Sequence, residues 1–140
     1  MNSTIEIHDS TIAEISECDG TVVVHFRPAY LHKSEGRAAI DPGTGWVQEA
    51  RLIFSQASVS GYSPDWPCDI MDGEIVLGGE RHRNLIPVPL EFSKLTELRL
   101  ICDSIHIVTV IGRGVRLNLI GEPRYVEEFP YKPTNCSEQQ

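Results

Sequence analysis

The chain has 140 residues, of which 41% are hydrophobic and 23% are charged. These proportions at this length are typical of one folded domain and exclude a chain that is disordered throughout. With 20 acidic and 12 basic residues the net charge is −8. This charge argues against nucleic acid as a partner, because phosphate backbones bind positively charged surfaces, and it suits a partner protein that is basic.

The sequence predicts the location of the protein by what it lacks. Residues 1–9 contain neither a basic start nor a long apolar segment, so we expect no signal peptide. The longest apolar runs, such as residues 105–111, are far shorter than the ~20 residues that cross a membrane. We therefore expect a cytoplasmic protein with no membrane partner.

Four widely spaced cysteines are present: Cys18, Cys68, Cys102 and Cys136. They form no Cys-x-x-Cys pair, which excludes the common zinc motifs and a thioredoxin-type motif. In a reducing compartment they are expected to be plain thiols. The sequence predicts no cofactor.

Short β-type runs separated by Gly, Asp and Pro dominate the first half of the chain. Residues 11–16 and 21–30 are predicted strands, and Asp19-Gly20 between them suits a two-residue type I′ hairpin turn, because both residues tolerate positive φ. Residues 46–59 alternate between apolar and polar side chains, which predicts a long, half-buried strand.

The second half of the chain continues the β pattern. Residues 84–92 contain two prolines, which cannot donate to a β ladder, so this segment is predicted to be an edge strand. Residues 97–102, 105–111 and 115–120 are three β-rich runs joined by short turns, and they predict a three-stranded C-terminal meander.

Together these elements predict an all-β fold, an antiparallel β-sandwich or barrel of short hairpins with little or no helix. We expect a single all-β domain over residues 1–126 and a flexible C-terminal tail over residues 127–140, where polar residues and prolines show no period. The sequence does not choose between sandwich and barrel, or between a monomer and a homodimer.

A ligand-binding site is predicted near the first hairpin. Its candidate residues are His8, Asp9, Tyr30 and His32, with Trp66 covering its mouth. Imidazole and carboxylate together suit zinc, iron or manganese, so the site could hold a metal, whose identity is left open. The alternatives are sheet-face histidines and a Trp66 that closes the end of the core.

No catalytic residue is predicted. His8-Asp9-Ser10 are adjacent in an extended chain, so their side chains point to opposite faces and cannot form a Ser–His–Asp relay. We expect Asp9 or Ser10 to accept a backbone hydrogen bond instead. Arg81 and Arg83 form a possible anion contact, because arginine binds carboxylate or phosphate with two hydrogen bonds, although solvated turn charges explain them equally well.

Residues 5–15, with their His-Asp-Ser element, followed by residues 22–32, resemble the start of small, uncharacterised bacterial β-protein families. Some similar small acidic proteins serve as immunity partners of toxins. The resemblance implies a protein-interaction role and transfers no catalytic residue.

Two functional hypotheses follow from these observations. The first is a non-enzymatic binding module that engages another protein, with a basic partner indicated by the acidic charge. The alternative is a small-ligand- or metal-binding β-sandwich with its His/Asp site near the first hairpin.

Overall fold

The computed structural model describes residues 1–130. Over this range the chain forms thirteen β-strands and one 3₁₀ helix, Ile7–Asp9. The strands are β1 (Asn2–Glu6), β2 (Thr11–Cys18), β3 (Thr21–Ser34), β4 (Gly43–Phe54), β5 (Ser58–Gly61), β6 (Cys68–Asp69), β7 (Asp72–Leu77), β8 (Glu80–Arg83), β9 (Leu85–Val88), β10 (Glu91–Phe92), β11 (Thr96–Ile101), β12 (Ile107–Gly112) and β13 (Val115–Phe129). The predicted all-β class is confirmed.

The strands form two antiparallel sheets. The large sheet has the order β10-β13-β4-β3-β1-β9, with β2 paired to β3 and β6 paired to β2. The small sheet has the order β5-β12-β11-β7-β8. Fully buried side chains of both sheets, including Phe26, Phe54, Leu98 and Leu100, belong to one hydrophobic cluster. Burial of each such side chain stabilises the folded state by roughly 1.5–3 kcal/mol. Because both sheets contribute to one core, the architecture is sandwich-like.

The first hairpin forms at the predicted dipeptide. Asp19 and Gly20 have φ of 50° and 81° between β2 and β3, as a type I′ turn requires. Gly78 and Gly79, also at positive φ, make a second tight turn between β7 and β8. The edge strand predicted over residues 84–92 is two short strands, β9 and β10, which lie at opposite edges of the large sheet beside β1 and β13.

The predicted strand over residues 46–59 is two strands in different sheets. β4 ends at Phe54 in the large sheet, and β5 begins at Ser58 in the small sheet. Gln56, between them, has a φ of 46°, a left-handed conformation that breaks an extended chain. Alternation continued through the break, so the sequence pattern did not reveal it.

The C-terminal meander is only partly present. β11 and β12 pair as predicted, but β13 crosses to the large sheet and pairs with β4. Two backbone hydrogen bonds direct this crossing, because the Arg113 N–H donates to the Ser55 carbonyl at 2.9 Å and the Ser55 N–H donates to the Gly114 carbonyl at 3.0 Å. Contacts with Ser55, which is distant in sequence, therefore determine that β13 pairs with β4, and the local sequence of β13 does not.

The predicted tail begins later than expected. β13 continues to Phe129, with Glu127 opposite Gly45 and Phe129 opposite Gly43 of β4. Residues 127–129 are thus part of the sheet, because β4 offers them a partner edge, and residues 131–140 lie outside the described residues. Among residues 1–130, no helix has the length and apolar character needed to cross a membrane.

Candidate functional site

The charges of three carboxylates act on one tyrosine, Tyr30, where the long strands of the large sheet meet the 3₁₀ helix. Glu6 is opposite Tyr30 on β1 and β3. The Tyr30 hydroxyl reaches over β4 and donates a 2.5 Å hydrogen bond to Glu127 Oε2 on β13. Asp9, in the 3₁₀ helix, is the third carboxylate whose charge acts on Tyr30. We call Glu6, Asp9, Tyr30 and Glu127 the acidic pole.

Gly45 makes the bond between Tyr30 and Glu127 possible. A Cβ atom at position 45 would lie 2.0 Å from the Tyr30 hydroxyl oxygen and 3.2 Å from the Phe129 ring. Real Cβ atoms do not approach other atoms this closely, so a side chain here would expel the phenol. The missing side chain on β4 is the notch through which Tyr30 contacts β13.

Ser10 fixes the backbone around the acidic pole. Its hydroxyl donates to the Glu6 carbonyl at 2.7 Å and accepts from the Tyr30 N–H at 2.9 Å. The expected backbone hydrogen bond at this serine is therefore confirmed. Ser10 is buried, and its two hydrogen bonds connect the residues around the 3₁₀ helix to β3.

The pKa of Tyr30 reflects the burial and the negative charges of the acidic pole. Burial raises the pKa of Tyr30 well above its usual range, and the hydrogen bond to Glu127 and the charges of Glu127, Glu6 and Asp9 raise it further. Each cause disfavours a negative phenolate. An additional negative charge is therefore unfavourable at the Tyr30 hydroxyl.

His8 lies beside the acidic pole in a defined orientation. The His8 backbone N–H donates to Asn84 Oδ1 at 2.7 Å, and the Asn84 amide nitrogen contacts the ring nitrogen Nδ1 of His8. Since Oδ1 is the acceptor of the first bond, the amide NH₂ must donate to Nδ1. The proton of the neutral ring is then on Nε2, which lies 3.3 Å from Asp9 Oδ2.

His32 and Phe129 line a small cavity next to the acidic pole. Their ring centroids are 4.6 Å apart, and the Ala39 N–H donates to His32 Nδ1. The cavity has a volume of about 120 Å³, and Glu6 and the loop residues 39–42 complete its lining with Pro130. Organic ligands of drug size need roughly 300 Å³ or more, so this cavity suits a single side-chain group or a small ion.

The structure brings together most of the sequence-predicted site. Asp9 and Tyr30 are in the acidic pole, His8 is beside it, and His32 lines the adjoining cavity. Trp66 does not line that cavity; it is partly buried and packs against the hydrophobic core, which agrees with a closing role at the end of the core.

Three residues of the site were missed by the sequence analysis: Glu6, Gly45 and Glu127. Glu6 carries a weak signal, as a charged residue between the buried Ile5 and Ile7. Gly45 and Glu127 carry no signal in the sequence, because only the pairing of β4 with β13 brings them to Tyr30.

Arg81 and Arg83 lie in a separate concavity on the small sheet. Arg99 joins them there, and the carboxylates of Asp72 and Glu74 line the same space of about 380 Å³. Arg81 Nε is 3.6 Å from Glu74 Oε2. Arg81 thus has a counter-charge of its own, and two carboxylates share the space with the three arginines, which favours an ion-paired sheet surface over an anion contact.

No protein-family model, curated protein or solved structure matches this chain. The resemblance of residues 5–15 and 22–32 to bacterial β-protein families therefore stays a prediction.

The charge of Glu127 should be measurable at Tyr30. We expect Glu127→Gln to lower the pKa of Tyr30, because the amide keeps an acceptor but removes the negative charge. The pKa is obtained from the tyrosinate absorbance, with Tyr30→Phe identifying the Tyr30 transition. Since the folded pKa is raised, Tyr30 adds stability that is complete below pH ~10 and is lost as the pH rises further.

Glu128→Gln is the matched control, because Glu128 acts on Tyr125 and not on Tyr30. A Tyr30 transition that is unchanged by Glu127→Gln, or shifted equally by both substitutions, would contradict the assigned contact.

Proposed function

We propose that this protein is a non-enzymatic binding module whose acidic pole receives a cationic group from a basic partner protein. The observation that carries the proposal is the hydrogen bond from the Tyr30 hydroxyl to Glu127, on a tyrosine whose pKa the charges of Glu6 and Asp9 also raise. Neutralisation of a toxin in the cytoplasm, as the resemblance implies, is one form that such a function takes.

The chemistry of the site suits a guanidinium or ammonium group. Carboxylates form strong, charge-assisted hydrogen bonds with arginine and lysine. The Phe129 ring adds an aromatic face, which attracts cations through its quadrupole. The neighbouring cavity of about 120 Å³ has room for one such head group. Acidic surface around this point would speed docking and select basic partners.

Binding of an arginine derivative tests the proposal. In an NMR titration with Nα-acetylarginine amide, we expect chemical-shift changes concentrated at residues 6–9, 39–42 and 129. The double variant Glu6→Gln/Asp9→Asn should bind about tenfold more weakly, as the loss of a charge-assisted hydrogen bond implies. Added salt should weaken binding, because the attraction is electrostatic.

The control variant is Glu17→Gln/Asp19→Asn, which makes the same change in net charge. Both residues are exposed at the other end of β3, about 30 Å from Tyr30 at ~3.3 Å per residue. Asparagine tolerates the positive φ of Asp19. Equal weakening by both double variants, or equal binding of Nα-acetylglutamine amide, would overturn the proposal.

A divalent metal ion is the second candidate, and one observation favours it. Ligand atoms of Glu6, His8 and Asp9 lie within 4.8 Å of one another, and such donors suit zinc or manganese. The hydrogen bond from Asn84 weighs against a metal, because it places the His8 proton on Nε2, the nitrogen that faces Asp9. A metal on Nε2 would have to displace that proton.

Asn84→Asp separates the two candidates. Aspartate would accept from both the His8 N–H and Nδ1–H, leaving Nε2 able to bind metal, and it tolerates the positive φ of Asn84. If the metal site exists, zinc affinity measured by chelator competition should rise about 10-fold or more in this variant. Asn118→Asp, at an exposed position of β13, controls for added charge. Absence of zinc binding in Asn84→Asp would eliminate the metal candidate.

A further inference from the structure

Two β-bulges lie on either side of β4 in the large sheet. The register of β3 against β4 shifts between Phe26 and Ala29, and that of β13 shifts between Ile120 and Arg124. Both shifts lie beside the same stretch of β4, residues 47–50. Bulges redirect side chains and are frequent next to functional sites. A concavity of about 350 Å³ lies between them, a volume within the usual range of small-molecule sites.

Gln48 is buried and lines this concavity. Only 8% of Gln48 is exposed, and its Nε2 donates to the Gly121 carbonyl in the β13 bulge at 2.8 Å. Among residues 1–130, no N–H or O–H group donates to the Gln48 carbonyl oxygen, Oε1. Buried side-chain amides normally have partners at both the nitrogen and the oxygen. Gln48 Oε1 can therefore accept a hydrogen bond from a ligand.

The concavity is lined by two charges of each sign. Arg27 donates to Glu49 Oε2 at 3.2 Å, and the same oxygen is 2.5 Å from His25 Nε2. Glu122 and Arg124 are the other charged residues of the lining, and neither forms an ion pair within the part of the chain that the structure describes. Because the charges are balanced, they complement a ligand that carries both signs and is neutral overall.

Apolar side chains lie between these charges. Val47 is opposite Arg124, and Ile120 is opposite Glu49, in the pairing of β4 with β13. Both apolar residues are only partly buried and line the concavity. A hydrocarbon group placed on them would leave water, which favours its binding.

We propose that this concavity binds a free α-amino acid with an apolar side chain. The carboxylate of the ligand accepts charge-assisted hydrogen bonds from Arg124. Its ammonium group donates to Gln48 Oε1 and to Glu122, and its side chain lies on Val47 and Ile120. This inference does not depend on the proposed binding function, because the concavity shares no lining residue with the cavity beside the acidic pole.

An NMR titration of the full chain with L-leucine tests the proposal. We expect saturable chemical-shift changes concentrated at residues 27–28, 47–49 and 120–124. N-acetyl-L-leucine lacks the ammonium group and L-leucinamide lacks the carboxylate, so each should bind about tenfold more weakly than L-leucine. No saturable change with L-leucine at millimolar concentrations, or equal binding of the three compounds, would refute the proposal.

Variants assign each charged group of the ligand to its partner. Arg124→Gln should weaken L-leucine binding about tenfold and leave L-leucinamide, which has no carboxylate, unaffected. Glu122→Gln should weaken L-leucine binding and leave N-acetyl-L-leucine unaffected. The matched control is Arg116→Gln, on the same strand but outside the concavity, and it should bind L-leucine as the wild type does. All three positions are exposed, so we expect these variants to fold.

Equal weakening of L-leucine and L-leucinamide by Arg124→Gln would contradict the assigned carboxylate contact. Equal weakening of L-leucine by Arg116→Gln and Arg124→Gln would show an effect of net charge alone and would also count against the site.

Discussion

The acidic pole depends on the absence of one side chain near the start of β4, an inner strand of the large sheet. At Gly45, β4 is bare, and the Tyr30 hydroxyl occupies the space where a Cβ would lie, 2.0 Å from its position. The phenol can therefore cross β4 and donate to Glu127 on β13. Without that notch, β4 would separate the two residues, and Glu127 would not contact Tyr30, on which the charges of Glu6 and Asp9 also act.

The arrangement links segments that are far apart in sequence. Tyr30 and Glu127 are 97 residues apart, and their contact requires β4 to pair with β3 on one side and β13 on the other. Ser10 adds a second constraint by bonding both to Glu6 and to Tyr30. The fold therefore fixes Glu127 at the Tyr30 hydroxyl and Glu6 opposite Tyr30 on β1.

Local chemistry made part of the fold predictable. Asp19-Gly20 specifies its turn through positive φ, and prolines mark the β9 edge because they cannot donate to a ladder. The partner of β13 was not predictable, because its alternation fits either sheet and the crossing is directed by bonds to Ser55. His8, Asp9, Tyr30 and His32 were recognisable by residue type, whereas Glu127 became part of the site only through strand pairing.

The most direct test of the account is arginine binding by Gly45→Ala, which keeps every carboxylate and disturbs only the notch. We expect binding of Nα-acetylarginine amide to weaken about tenfold, together with a loss of stability of about 1–3 kcal/mol from overpacking. Gly114→Ala is the control, since a Cβ there would meet nothing closer than 3.4 Å, and its binding should match the wild type. Unchanged binding in Gly45→Ala would contradict the claim that the geometry of the pole, and not its charge alone, makes the site.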